Sequence, residues 1–216
     1  MSEYTERVAS ELIQPIILLV DKEDPAGEDE AIAAVALASI AAFLQDPVNP
    51  AWHPWAHGAF GKSVRRANPK AFAKVRQEFP EHALIEIGGA QAAGLAPVPA
   101  DDMPKILAKL QVSGTQLPQS GGVLGGQVVI VLDASLEMST GKASAQAAHA
   151  LFAWLLEADE DIVQQWIADG ATLGVRQLSR DDFTASMELA HGPVIHDAGR
   201  TEIEPGSATA YVLLAG

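Results

Sequence analysis

Residues 127–156 read QVVIVLDASLEMSTGKASAQAAHALFAWLL, and the fold follows from how this stretch is parsed. Val128 to Leu132 is an unbroken, mostly β-branched apolar run, the pattern of a strand covered on both faces. A short polar turn follows, then Ser139-Thr140-Gly141-Lys142, then a long segment rich in Ala and Leu. A hydroxyl at Ser139 or Thr140 can cap a helix by accepting from an unpaired N–H of its first turn. Lys142 then falls in that first turn, where a cation meets the positive end of the helix dipole. A lysine so placed costs a little stability and lends itself to anion binding; the plain alternative is a solvated side chain.

Outward from this segment, composition sets bounds. The 216 residues allow one large domain or two small ones, and 48% hydrophobic with 19% charged residues is globular rather than disordered. No apolar stretch reaches membrane-spanning length, and the start, MSEYTERVASE, lacks a secretory pattern, so a cytoplasmic protein with no membrane partner is expected. The absence of cysteine excludes disulfides and thiol chemistry and removes the usual ligands of structural zinc. The formal net charge is −14, with 10 basic and 15 acidic residues before position 123 and 4 basic and 13 acidic residues after it. Nucleic-acid binding normally needs a basic patch, so such a partner requires the few cations to converge on one cleft.

The chain contains a weak internal repeat. At an offset of 112, Asp21 falls on Asp133, and Ala31, Ala33, Ala36, Ala38, Ala41 and Leu44 fall on Ala143, Ala145, Ala148, Ala150, Ala153 and Leu156. Val64-Arg65 and Phe72 match Val175-Arg176 and Phe183 at 111, and Ile85 and Gly89 match Ile195 and Gly199 at 110. Small loop deletions leave that kind of drift. Two similar α/β units are therefore expected, residues 1–111 and 127–216, joined by a Gly-, Ser- and Gln-rich linker over 112–126. In the first unit, PIILLV (15–20) predicts a strand, an acidic-capped Ala-rich helix runs to about Leu44, and GGAQAAGLAPVPADDMP (88–104) reads as a loop.

The segment MSTGKASAQAAHA (138–150), taken with His196-Asp197-Ala198-Gly199-Arg200-Thr201-Glu202-Ile203-Glu204-Pro205-Gly206-Ser207-Ala208-Thr209, resembles the type II peptidyl-tRNA hydrolases. Those enzymes open their first helix with Gly-Lys, small residues, Gln and His-Ala, and end in an Asp-Ala-Gly-(Arg)-Thr-Gln-Ile-x-Pro-Gly-Ser-x-Thr turn. The resemblance spans about Gly126 to Gly216. It implies a three-layer α/β/α sandwich around a small mixed four-stranded sheet, which the repeat would duplicate in tandem. It also implies hydrolysis of the ester between a peptide and the terminal ribose of tRNA, with the tRNA 3′ end as partner and no cofactor.

By position, the resemblance assigns Lys142, Asp197, Thr201 and Thr209 to catalysis, and Gly141, His149, Arg200 and Gly206 to substrate binding. Such a reaction needs an oriented water and a positive group for the developing oxyanion. Asp197 is expected to orient or deprotonate the water, and Lys142, aided by the helix N-terminus, to stabilise the oxyanion or a phosphate. Thr201 and Thr209 would hydrogen-bond substrate or water. Each residue also has a plainer reading: Asp197-Ala198-Gly199 as a turn, Pro205-Gly206-Ser207 as a hairpin connection, His149 as a structural histidine.

Two departures from the family pattern stand out. Ser139-Thr140 replaces Gly-Lys, removing a positive charge, and Glu202 replaces Gln, adding a negative one. In the first unit Glu30 takes the place of Lys142 and Ile87 that of Asp197, so a degenerate partner unit is expected, standing in for a second subunit. Further homo-oligomerisation stays open, and a catalytically silent binding module is the rival reading. Elsewhere, His53 and His57 sit four apart but read as surface histidines. Trp52 and Trp55 read as core or inter-unit filling. Lys62, Arg65, Arg66, Lys70, Lys74 and Arg76 form the single basic run, a solvated helix face or a phosphate guide.

Overall fold

The computed structural model describes residues 10–121, 125–199 and 202–215. The first unit contains β1 (Leu12–Leu19), α1 (Glu28–Gln45), α2 (Trp52–Ala56), β2 (Gly61–Ala67), α3 (Pro69–Glu78), β3 (Ala83–Ile87), β4 (Ala90–Gly94), β5 (Val98–Pro99) and α4 (Lys105–Ala108). The second contains β6 (Val128–Asp133), α5 (Thr140–Glu157), α6 (Glu160–Ala168), β7 (Leu173–Leu178), α7 (Arg180–Ser186), β8 (Ile195–His196) and β9 (Ala208–Leu214). The strand orders are β2-β1-β4-β3, with β5 added on β1, and β7-β6-β9-β8. In both sheets the first two strands pair parallel and the remaining pairs antiparallel.

Alternation along the strands divides the core. Ile16, Leu18, Val64 and Ala92 of one sheet, with Ile130, Leu132, Val175 and Val212 of the other, face a common central cluster that contains α1 and α5. The opposite faces carry smaller cores, Ile17 and Ala93 against Phe72 and Val75 of α3, and Val129 and Val131 against Phe183 and Tyr211. Each sheet is thus covered by helices on both faces, as expected. The two inner helical layers, however, are one shared layer. α1 touches β7 and α5 touches β2, reciprocally. Trp52, Trp55, Phe43 and Phe60 meet Phe152 of α5, so this aromatic cluster joins the two units.

Setting Val64 equivalent to Val175, the registers Ile16↔Val64 and Ile130↔Val175 place β1 on β6 at an offset of 114 rather than 112. The two-residue slip keeps every side chain on its face, because the strand period is two. The antiparallel pairs Ile16↔Gly94 and Ile130↔Val212, and Ile85↔Ala92 and Ile195↔Ala210, both then set β4 on β9 at 118 and agree with one another. Local chemistry repeats too: Asp21 accepts from the amide of Glu23 at 3.0 Å, and Asp133 from that of Ser135 at 2.9 Å.

Residues 90–94, expected in a loop, form the inner strand β4 between β1 and β3. AQAAG has weak strand propensity. Its small side chains are what the packing needs: a Cβ on Gly94 would sit 1.9 Å from the carbonyl oxygen of Ala38, so the Ala-rich α1 presses directly on the sheet. The described part of the connecting segment, 112–121, is packed rather than free. Thr115 and Leu117 are buried, Leu117 N–H donates to Thr140 Oγ1 at 3.0 Å, and Glu28 N–H donates to Pro118 O at 2.8 Å.

Candidate functional site

Ser139 caps α5, its Oγ accepting from the amide of Lys142 at 3.2 Å. The Lys142 side chain, 10% exposed, forms an ion pair with Asp197, 4% exposed, immediately after β8. The two groups 55 positions apart are therefore in contact. The Asp197 carboxylate also accepts from Gln146 Nε2 at 3.1 Å and from the amide of Gly199 at 2.9 Å. Gln146 lies one turn beyond Lys142 on α5, so both side chains face the same way. Its Oε1 accepts from Thr209 Oγ1 at 2.8 Å. Thr209 is fully buried, and its hydroxyl also approaches the carbonyl of Ile195 at 3.1 Å. It stands one hydrogen bond behind the carboxylate, reaching it through Gln146.

Glu202 sits in the left-handed region with φ 62° and accepts from both the amide of Ser139, at 3.0 Å, and its hydroxyl, at 2.8 Å. The added negative charge thus ties the loop to the start of α5. The other departure, Thr140, is fully buried and donates to Glu28 Oε1 of α1 at 2.8 Å. A lysine there would point into the inter-unit contact. The helix mouth offers fewer free donors than the sequence suggests: the amides of Gly141 and Lys142 are engaged by Thr115 O and Ser139 Oγ.

Lys142, Gln146, Asp197 and Glu202 line a cleft of about 470 Å³ whose opposite wall belongs to the first unit. Gly141, Lys142, Gln146, His149 and Asp197 face Phe60, Lys62, Ser63 and Val64. His149 packs its ring 5.4 Å from that of Phe60. Desolvation, reinforced by the charges of Lys62 and Lys142, holds it well below the ordinary imidazole range, so it is neutral near pH 7. Gly206 does not line the cleft; with φ 82° it makes the turn that donates its amide to Asp197 O at 2.8 Å. Thr201 and Arg200 lie outside the described residues.

Sequence reasoning gave Gln146 no role of its own and Lys62 none beyond membership of the basic run. The first had a signal, its i+4 spacing from Lys142. Lys62 was grouped in a basic run read as a solvated helix face or a phosphate guide, but it stands on β2, and its ammonium lies over the rings of Phe60, Trp55 and Phe152 at 3.6, 4.3 and 4.8 Å. Only the pairing of β2 with β1 and the approach of α5 put it there. His53 and His57 are exposed, with rings stacked at 4.2 Å. Among the described residues no helix is long and apolar enough to cross a membrane.

The first unit has no counterpart of this loop. Its β3 and β4 are joined by Gly88-Gly89 alone, where the second unit has residues 197–207. Glu30, at the place of Lys142, lies over that turn: a Cβ on Gly88 would meet its Cγ at 2.7 Å.

Residues 127–215 match the family described as Peptidyl-tRNA hydrolase PTH2. Over 89 residues the chain is 35% identical to a peptidyl-tRNA hydrolase of Methanopyrus kandleri, a match covering 38% of this chain and 77% of that one. A peptidyl-tRNA hydrolase of Halobacterium salinarum is 33% identical over 91 residues, covering 39% of this chain and 81% of its own. A probable peptidyl-tRNA hydrolase 2 of Schizosaccharomyces pombe is 37% identical over 92 residues, covering 38% of this chain and 45% of its own. Through its C-terminal unit, therefore, the chain belongs to the PTH2 family of peptidyl-tRNA hydrolases.

Proposed function

We propose that this chain hydrolyses the ester joining a peptide or N-blocked amino acid to the terminal ribose of tRNA, at the cleft between α5 and β2. The observation that carries the reading is the contact of Lys142 with Asp197 in that cleft. A carboxylate has about four acceptor positions, and three donors already hold that of Asp197. The remaining position orients a water against the ester carbonyl. The Lys142 ammonium, one hydrogen bond away, stabilises the oxyanion that attack creates, more strongly in this sheltered site than in water. Asp197 takes the water proton and returns it to the departing ribose oxygen. Gln146 and Thr209 position Asp197. Gly141 and His149 line the substrate path, with Arg200, Thr201 and Gly206 supplied by the 197–207 loop. The chemistry draws on side chains alone and calls on no cofactor.

The first unit would act as a degenerate copy replacing a second subunit. The reciprocal contacts of α1 with β7 and α5 with β2 support this, being the pattern of an isologous interface. A tRNA-directed activity also points to a cytoplasmic site of action.

The test is release of an N-acetylaminoacyl group from tRNA by the wild type, Lys142→Ala and Asp197→Asn. Turnover by the wild type that both variants lose by at least about 100-fold upholds the proposal. A wild type no faster than the variants leaves the rival reading, a binding module on the same scaffold.

A further inference from the structure

Lys62 is a cation of the cleft lining that the reaction above does not use. Part of the residue is accessible, yet its Nζ has no exposed surface and no hydrogen-bond acceptor among the described residues. An ammonium carries three N–H donors, and leaving all of them unmet away from water is costly. Its three aromatic neighbours return part of that cost as cation–π attraction. If packing were its only role, an apolar residue of similar volume would serve as well or better. Burial pushes the Lys62 amine well below its ordinary range, consistent with a charge lacking its counter-ion. Lys62 and Lys142 line the same cleft from opposite units, with His149 also in its lining.

We propose that Lys62 is an anion-binding residue of the cleft and takes the phosphate of the substrate's terminal nucleotide. The proposal rests on the hydrolase reading above. In that substrate the ester and the acylated nitrogen are neutral, and the obligatory charge nearest the ester is the 5′ phosphate of the terminal adenosine. A phosphate oxygen supplies the acceptor that the protein withholds. The flexible four-carbon stem of lysine lets the ammonium leave the rings of Phe60 and Trp55 and enter the cleft that Lys62 already lines. The first unit would then complete the site rather than merely support it.

The experiment measures binding of adenosine 5′-monophosphate, adenosine and inorganic phosphate to the full chain by calorimetry, for the wild type, Lys62→Met, Lys62→Gln and Lys62→Arg. Thermal unfolding of each checks the fold. The wild type is expected to prefer the monophosphate over adenosine by about 10-fold or more. Both neutral variants lose that preference, and Lys62→Arg recovers part of it. Inorganic phosphate binding as tightly as the monophosphate would identify a free-phosphate site and overturn the nucleotide assignment. Equal affinity of the wild type for monophosphate and adenosine, or a preference that survives in both folded neutral variants, also overturns it. With acylated tRNA, the loss in Lys62→Met should fall on KM about 10-fold more than on kcat, which a purely structural lysine would not produce. A wild type that binds the monophosphate through Lys62 but hydrolyses nothing sinks the hydrolase reading and leaves the anion site standing.

Discussion

The hydroxyl of Thr140 donates to Oε1 of Glu28 at 2.8 Å, and the two residues are the first of α5 and α1, 112 positions apart. The starts of the two long inner helices thus touch each other. The contact closes a small network: Gln177 Nε2 donates to Glu28 Oε2 at 3.1 Å and to Asp29 Oδ1 at 2.9 Å. The cation missing from the helix mouth therefore has a structural explanation, since its place is occupied by the inter-unit bond.

Thr140→Val keeps the shape but removes the donor to Glu28 and the acceptor of the Leu117 amide. Both groups are buried, so unfolding in urea should show a loss of about 1–3 kcal/mol. An unchanged midpoint would mean that the bond contributes nothing to holding the units together.

Asp197→Ala leaves the Lys142 ammonium with its carboxylate removed at a site where it is only 10% exposed. Breaking a buried pair from one side costs about 3–5 kcal/mol, more than the double change Lys142→Met with Asp197→Leu. Denaturation curves of the three proteins decide this. A double variant less stable than the single one would contradict it.

Gln146→Leu cuts the path from Thr209 to Asp197 without touching the ion pair. Loosening the carboxylate by a fraction of an ångström should lower kcat about 10- to 100-fold while KM moves little. Steady-state kinetics on acylated tRNA give the answer; a loss carried entirely by KM would make Gln146 a substrate-binding residue instead.

His149 titrates in the fold below its unfolded value, so the unfolded chain takes up its proton first as pH falls. Its contribution to stability is complete above about pH 6.5 and is lost as acidity increases towards the folded value. The difference in unfolding free energy between wild type and His149→Phe should shrink in wild type's disfavour from about pH 7 to 5. A constant difference would place the imidazole in contact with water. The amine of Lys62 is depressed by burial too, so its contribution to stability rises with pH up to about 10.5.

Expressed without residues 1–111, the second unit uncovers the α5 face that packs on α1. Sedimentation should find it self-associated through that face. A well-folded monomer would argue that the first unit is an addition rather than a replacement partner.

Much of this protein is legible in one dimension. The apolar run 128–132, the cap at Ser139 and the helix from residue 140 are local facts, set by burial and by the chemistry of helix ends. That the chain holds two similar sheet-and-helix units was legible through Ala36 and Ala148, Val64 and Val175, and Phe72 and Phe183, all of them buried. Motif order also put Lys142 and Asp197 near each other, and the two side chains touch. Strand β4 was not legible, because alanine and glycine carry no strand signal and were selected by the close approach of α1. Nor could the sequence tell that the inner helices share one layer, that Thr140 bonds Glu28, or that Lys62 leaves its basic neighbours for an aromatic cage facing Lys142. Those outcomes depend on how two units dock, and docking brings together residues whose separation along the chain carries no periodic signal.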